Sequence, residues 1–181
     1  MSRGLGDVYK RQDEVTGAVV FAGIEGSRPV LVEIEALVAP STLASPRRNV
    51  VGWDGSRLAM LTAVLEARCN VPLSGRDIFL NVAGGLKISE TAADLAVAAA
   101  LISSVSGRPA PPRSVFFGEV ALSAELRQVA QADARLKEAA KLGFDMAVMP
   151  KPRKKLGALS GLSIAQPSTL AELIEIMGGV T

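Results

Sequence analysis

The chain has 181 residues, of which 49% are hydrophobic and 21% are charged, and its formal net charge is +2. This length and composition indicate one domain with a buried core. Because the sequence has no histidine and one cysteine, catalysis by Ser-His-Asp or Cys-His groups and the common zinc sites are excluded.

Residues 1–12 show no hydrophobic periodicity and do not continue smoothly into the residues that follow. We interpret them as a leader foreign to the fold and predict a single domain over residues 13–181. The leader holds three basic side chains and one acidic side chain, so the domain itself balances at 17 basic and 17 acidic residues. Any nucleic-acid contact must therefore arise from local clusters rather than from net charge.

The domain is predicted to begin with two strands, over 18–26 and 28–39, which are joined at Gly26-Ser27-Arg28. In the second strand, apolar residues alternate with Glu33 and Glu35. We therefore expect these two glutamates on a polar face opposite the core.

A first helix is predicted after a loop that includes a short strand at 49–52. Asp54 is expected to cap this helix, which covers 55–69 and ends at Asn70 and Pro72. Its leucines recur on one side, so the helix is expected to pack on the core through them.

A second helix follows a strand that begins at Asp77. Thr91 and Asp94 are spaced as a capping pair for this helix, with Asp94 favourable in the first turn. The helix is apolar nearly all round, so it should be central and buried, and Gly107 followed by Pro109 should end it.

The last third of the chain is predicted to alternate between strands and helices. The expected elements are a hairpin formed by 114–122 and 126–130, an amphipathic helix over 133–142 closed by Gly143, a strand over 144–150, a basic loop over 151–155, a short strand over 162–166 and a helix over 168–177 capped by Ser168. The predicted fold class is α+β, of α/β-like character: a mixed sheet packed by helices, with a β-rich start.

The sequence lacks the segments typical of membrane and secreted proteins. No apolar run reaches the roughly 18 residues of a membrane-spanning helix, and no apolar signal-peptide region is present. A single cysteine fits a reducing compartment. We expect a cytoplasmic protein without a membrane partner.

Gly84 and Gly85 stand between a strand and a helix, where a phosphate could be cradled. The alternative is a tight turn that requires positive φ. The chain contains neither G-x-G-x-x-G nor G-x-x-x-x-G-K-[ST], which favours the structural turn.

Ser89 or Thr91 with Lys87 would form a serine–lysine pair only if the lysine were desolvated. Lys87 lies in a polar turn, so capping is the favoured role of both hydroxyls. Cys69 lies in the last turn of a helix, where the helix dipole disfavours a thiolate, and we expect it to be a packing residue.

Basic residues form two clusters that are candidates for binding DNA phosphates, with a solvated charged surface as the alternative. The candidates are Arg47, Arg48 and Arg57 in the first half of the chain, and Lys151, Arg153, Lys154 and Lys155 in the second.

From about Glu14 onward, the chain resembles the C-terminal domain of the RadA (Sms) family of bacterial DNA repair proteins. That domain is in turn similar to the proteolytic domain of Lon. The resemblance lies in "RPVLVEIEALVAPS", "PRRNVVGWDGSRLAMLTAVLEARC", "FLNVAGGLKISETAADLAVAAAL", "FGEVALSAELRQV" and "RLKEAAKLGF".

Lon-type proteases use a serine at the start of the buried helix and a lysine after the hairpin. In this sequence the resemblance places Ala92 at the serine position and Asp133 at the lysine position. Lys137 is a fallback base only if the alignment shifts by one helical turn. The resemblance therefore implies a Lon-like domain that has lost its peptidase chemistry and is not an enzyme.

The resemblance implies a hexamer scaffold that also contacts single-stranded or branched DNA during recombination. A recombinase of RecA type is a further candidate partner. The resemblance also implies that full-length members are DNA-dependent ATPases that use ATP, Mg and Zn. This chain has no ATPase motif and no zinc-finger cysteine set, so no cofactor is expected in it. A residual peptidase and a pure oligomerisation module without DNA contact are the alternatives.

Overall fold

A computed structural model describes residues 15–157 and 161–180, so the predicted leader lies outside the described residues. The strands are β1 (Ala18–Glu25), β2 (Arg28–Pro40), β3 (Arg48–Val51), β4 (Arg76–Val82), β5 (Ser114–Phe116), β6 (Glu119–Val120), β7 (Leu126–Arg127), β8 (Met146–Val148) and β9 (Ser163–Ala165). The helices are α1 (Gly55–Cys69), α2 (Asp94–Ser106), α3 (Ala132–Lys141) and α4 (Leu170–Ile176). The predicted mixed α/β fold is confirmed.

Seven of these strands form one mixed sheet, in the order β3-β4-β2-β1-β5-β8-β9. Strand β2 is antiparallel to both of its neighbours, and the other adjacent pairs are parallel. Strands β6 and β7 form a separate antiparallel pair. In the described part of the chain, β3 and β9 are therefore the open edges of the large sheet.

The predicted β1–β2 hairpin is confirmed, with Arg28 as the first residue of β2 rather than part of the turn. The prediction that Glu33 lies on a polar face opposite the core is wrong, because its side chain is buried. Helix α3 packs against β1 and β2, so this stretch of β2 is covered on both sides.

Helix α1 has the predicted bounds. The Asp54 carboxylate accepts a hydrogen bond from the Ser56 N–H at 3.0 Å, and Asn70 ends the helix with a φ of 55°. Leu58, Leu61 and Leu65 are buried on the core side, as their spacing predicts.

Helix α2 is central, as predicted, and every residue from Asp94 to Ser103 is buried. Its start differs from the prediction. A 3₁₀ turn over Thr91–Ala93 precedes the helix, and no side chain caps either element. The Asp94 carboxylate does not serve a capping pair, because it faces Arg57 of α1.

Helix α4 is capped by Thr169 and not by Ser168. The Thr169 hydroxyl accepts from the Glu172 N–H at 3.3 Å, and the Glu172 carboxylate accepts from the Ser168 N–H at 2.7 Å. An N-cap hydroxyl reaches the N–H three residues on, and Glu172 is three residues after Thr169.

The predicted hairpin over 114–122 and 126–130 is only partly correct. Strand β5 instead enters the large sheet between β1 and β8, and only β6 and β7 form the hairpin. The run Ser114–Phe117 is buried throughout, which is typical of a strand covered on both faces. No helix in the described residues is both long and apolar enough to cross a membrane.

Candidate functional site

Arg47 and Arg48 of the first predicted basic cluster lie at the opposite edge of the large sheet from the second cluster. Arg48 begins edge strand β3, whereas residues 151–155 follow β8 next to the other edge strand, β9. Six interstrand spacings of about 4.8 Å separate the edges, a distance of roughly 29 Å. Because β3 and β8 run in the same direction, the start of one and the end of the other also lie at opposite ends of the sheet. One copy of the chain therefore does not present the two clusters as a continuous patch.

Arg47 is held by an internal ion pair. Its Nη2 lies 3.1 Å from Asp77 Oδ2, and its backbone N–H donates to Asp77 Oδ1 at 2.6 Å. The guanidinium also lies over the Phe79 ring, 5.8 Å from the centroid. The hydrogen bond from the Arg47 N–H, with a smaller contribution from the guanidinium, lowers the pKa of the Asp77 carboxyl.

Arg48 is partly engaged by the backbone. Its Nη1 donates to the carbonyl of Arg47 at 3.2 Å and to the carbonyl of Arg76. The side chain is exposed at the edge of the sheet, so it can still meet solvent or a ligand.

Arg57 forms an ion pair with a buried carboxylate. Its Nε donates to Asp94 Oδ1 at 2.6 Å, and its Nη2 pairs with Asp94 Oδ2 and lies 3.8 Å from Glu119 Oε1. The Val120 N–H donates to Asp94 Oδ2 at 3.0 Å. Burial raises the pKa of Asp94, and the hydrogen bonds from Arg57 and Val120 oppose that rise. These contacts of Asp94 and Arg57 connect α1, α2 and the β6–β7 hairpin.

The loop over 151–155, which we call the basic loop, has its cationic side chains exposed. Within the described residues, no carboxylate forms an ion pair with any of them. The Arg153 N–H donates to Gln128 Oε1 at 2.7 Å, which fixes the loop against the chain after β7. Its four cationic side chains are Lys151, Arg153, Lys154 and Lys155.

A cleft of about 470 Å³ lies between the basic loop and the start of α3. Arg153 and Lys154 line one side of it, and Gln128 and Asp133 line the other. The position that the Lon resemblance assigns to the catalytic lysine thus carries an exposed aspartate beside the basic loop.

The residue at the position that the Lon resemblance assigns to the serine is buried. Ala92 is 2% exposed in the 3₁₀ turn before α2. Its carbonyl accepts from the Gly118 N–H at 2.8 Å, and the Gly118 carbonyl accepts from the Leu95 N–H at 3.0 Å. These two backbone bonds hold the hairpin against the start of the helix.

The surroundings of the other residues considered as catalytic groups do not activate them. Lys87, Ser89 and Lys137 are exposed, so burial does not desolvate either lysine. Burial raises the pKa of the Cys69 thiol, which disfavours the thiolate.

The glycine pair beside them forms a turn. Gly84 and Gly85 have φ values of 75° and 69°, the conformation that the tight-turn interpretation requires.

Sequence reasoning missed a buried arginine beside the serine position. Arg135 of α3 pairs with Glu90 at 2.6 Å, and its other nitrogens donate to the carbonyls of Ala22 and Ala130 at 2.9 and 3.0 Å. Its guanidinium lies 5.5 Å from the Phe117 ring centroid. The sequence feature that could have indicated the burial of Arg135 is its position on the apolar face of α3, one residue before buried Leu136.

Within residues 15–157 and 161–180, no group of three or more Cys, Asp and Glu side chains converges as a metal site. The expectation that this chain holds no cofactor stays a prediction.

A family model described as subunit ChlI of Mg-chelatase matches residues 55–153, which is more than half of the chain. The chain belongs to this family. The matched stretch runs from the start of α1 to the basic loop and includes Ala92, Asp94, Asp133 and Arg135.

The chain is also similar to curated proteins named DNA repair protein RadA. It is 54% identical to the protein of Brucella abortus over 165 residues, covering 91% of this chain and 35% of that protein. It is 49% identical to the Rickettsia felis protein over 170 residues, covering 94% and 37%, and 46% identical to the Pseudomonas aeruginosa protein over 168 residues, covering 93% and 37%. The chain spans about a third of the length of these relatives.

Proposed function

We propose that this chain is the DNA-contacting, non-proteolytic domain of a RadA-type DNA repair protein. The similarity to RadA proteins over more than nine-tenths of the chain supports the repair role. The observation that carries the DNA contact is the basic loop, whose cations have no ion-pair partner among the described residues.

The basic loop is distinguished from the other arginine candidates by what its side chains already bind. Arg47 and Arg57 each pair with a buried carboxylate, and Arg48 donates to two carbonyls. A phosphate would have to compete with these partners, whereas the loop cations only have to lose water and counterions. We therefore assign the first phosphate contacts to the basic loop and keep Arg47 and Arg48 as secondary candidates.

The domain is proposed to be non-proteolytic because Ala92 supplies no nucleophile and its side chain is buried. Asp133 is exposed and is not an amine base. The proposed role in repair is therefore binding and scaffolding rather than peptide hydrolysis. We propose that the domain is nevertheless related to the proteolytic domain of Lon.

Removing two loop cations tests the DNA contact. In Lys154→Ala/Lys155→Ala, we expect weaker binding of single-stranded and forked DNA, with the slope of log affinity against log salt reduced by about 1.4 to 1.8. The measurement is fluorescence anisotropy of labelled DNA across a salt series.

A matched control separates the loop from net charge. Lys137→Ala/Lys141→Ala removes two exposed cations from α3 and changes the net charge equally. We expect a much smaller change in slope for this variant. If the slopes of log affinity against log salt are equal in the loop variant, the control and the parent chain, the basic loop does not contact DNA, and only the scaffold role remains.

We further propose that copies of the domain assemble into a ring, most simply a hexamer. A closed ring needs two different surfaces that complement each other, and we propose the two open edge strands of the described sheet, β3 and β9, as these surfaces. A ring would also present several basic loops to one DNA strand and so raise the apparent affinity.

Sedimentation velocity over a concentration series tests the assembly. We expect self-association that grows with concentration, up to a species of about six copies. A single monomeric species up to several hundred micromolar would contradict the scaffold role of this domain.

A further inference from the structure

One hydrogen bond holds the basic loop in the middle of its length. The Arg153 N–H donates to Gln128 Oε1 at 2.7 Å. Within the described residues, no other hydrogen bond reaches residues 151–155. The loop is otherwise fixed at its ends, by strand β8 before it and by half-buried Leu156, which packs against the core, after it. The conformation of the loop between these ends therefore depends on the Gln128 carboxamide.

The charges of the basic loop do not favour one fixed conformation. Arg153, Lys154 and Lys155 are consecutive and exposed, and within the described residues none of them forms an ion pair with a carboxylate. Like charges on adjacent residues repel one another and favour an extended chain. If the loop is held in its binding conformation before DNA arrives, the cost of ordering it on binding is smaller. A contact that fixes the loop therefore raises the affinity for DNA without touching the DNA.

Gln128 can fix the loop because both ends of its own segment are held. It directly follows β7, and the Leu126 N–H of that strand donates to the Ser168 carbonyl at 2.9 Å. Two residues after Gln128, the Ala130 carbonyl accepts from Arg135 Nε at 3.0 Å, and Arg135 is buried. Gln128 itself is half-buried. A series of contacts thus connects the core, through Gln128, to the basic loop.

The chemistry of Gln128 leaves the charges of the loop available. Its carboxamide accepts a backbone hydrogen bond and carries no charge, so it does not neutralise the cations that it holds. By contrast, the guanidinium groups of Arg47 and Arg57 are each held by a carboxylate. Of the described residues that line the cleft beside the loop, Asp133 alone carries a carboxylate, against four cations in the loop. The loop therefore keeps a net positive charge for a phosphate.

We propose that Gln128 is a positioning residue, which holds the basic loop in the conformation that contacts nucleic-acid phosphates. It acts through the Arg153 N–H and not through a contact of its own with DNA. This inference rests on the proposed DNA contact of the loop and adds the residue that controls it. Loss of the Gln128 hydrogen bond lowers the fraction of chains in the binding conformation, whereas the bound state keeps its phosphate contacts.

Two measurements on Gln128→Met test the proposal, because methionine has a similar length but no oxygen acceptor. In the free protein, we expect the Arg153 amide hydrogen to exchange with solvent about threefold to tenfold faster, the range that one hydrogen bond supports. We expect the affinity for single-stranded DNA to fall about twofold to tenfold, with an unchanged slope of log affinity against log salt. NMR follows the exchange, and fluorescence anisotropy across a salt series follows the binding.

Three further variants separate the causes of these effects. Gln128→Glu keeps an acceptor, so the Arg153 amide hydrogen should exchange as slowly as in the parent chain. Gln131→Met makes the same replacement at an exposed position that lines the same cleft, and it should leave both measurements unchanged. Gln128→Asn, whose side chain is one methylene shorter, should behave like Gln128→Met and replaces it if that variant folds poorly.

The proposal is wrong if Gln128→Met leaves the affinity for DNA unchanged. It is also wrong if the affinity falls while the Arg153 amide hydrogen still exchanges slowly, because Gln128 then contacts DNA itself. Failure of the proposed function has a different signature. In that case the affinity and the salt slope of Lys154→Ala/Lys155→Ala both match those of the parent chain.

Discussion

Replacing Arg57 with methionine is expected to lower the free energy of unfolding by about 3 kcal/mol at neutral pH. The change strands the Asp94 carboxylate, which is fully buried, without its cation. Breaking a buried ion pair from one side costs roughly 3 to 5 kcal/mol, and the lower end applies because the Arg57 side chain is 22% exposed. Urea denaturation followed by circular dichroism measures the loss.

The loss in this variant should depend on pH. Burial already raises the pKa of Asp94, and removing Arg57 raises it further. The folded variant then binds a proton that the unfolded chain releases, so its stability is lost as pH rises through the folded-state pKa. The deficit relative to the parent should therefore be smaller at about pH 5 than at about pH 8.

Two further variants separate charge from packing. Arg57→Met/Asp94→Asn removes the buried charge but keeps an oxygen that can accept from Val120 N–H, and it should recover more than half of the loss. Arg68→Met, at an exposed position of the same helix, should cost less than about 1 kcal/mol. A double variant as unstable as Arg57→Met alone would show that packing, not charge, causes the loss.

Replacing Arg135 with methionine is the second change for which we expect a large effect, again about 3 to 5 kcal/mol. The side chain is 4% exposed and links α3 to the Glu90 carboxylate and to the carbonyls of Ala22 and Ala130. Methionine fills similar space but leaves the carboxylate without its cation and the two carbonyls without this donor. Thermal and urea unfolding measure the effect.

Arg135→Lys should be intermediate, because one ammonium cannot reproduce a fork that reaches three acceptors. Lys137→Met, exposed on the same helix, is the control and should stay within about 0.5 kcal/mol of the parent. A loss from Arg135→Met no larger than that of the control would mean that the Glu90 pair does not stabilise the fold.

Both ion pairs hold the segment around Ala92 in place. Glu90 lies two residues before Ala92 and Asp94 two residues after it, and each is fixed by an arginine from a different helix. The position that the Lon resemblance assigns to the serine thus lies between two ion pairs.

The sequence by itself determined the elements whose signals are local. Helix α1 follows from the Asp54 cap, the leucine spacing and the stop at Asn70. The β1–β2 hairpin follows from two strand-like runs on either side of Gly26-Ser27-Arg28, the second of them alternating. The buried nature of α2 follows from a run that is apolar on all sides. Such features depend on residues a few positions apart, so they can be read without knowing the fold.

Only the tertiary structure decided which charges are free. Arg47, Arg57 and Arg135 are all basic residues in the sequence, yet each meets a carboxylate at least 30 positions away in the chain. The residues of the basic loop meet none among the described residues. Strand order likewise placed Arg47 and Arg48 at the opposite edge of the sheet from the basic loop. Pairing between distant segments depends on the global packing of the sheet, and no local pattern encodes it.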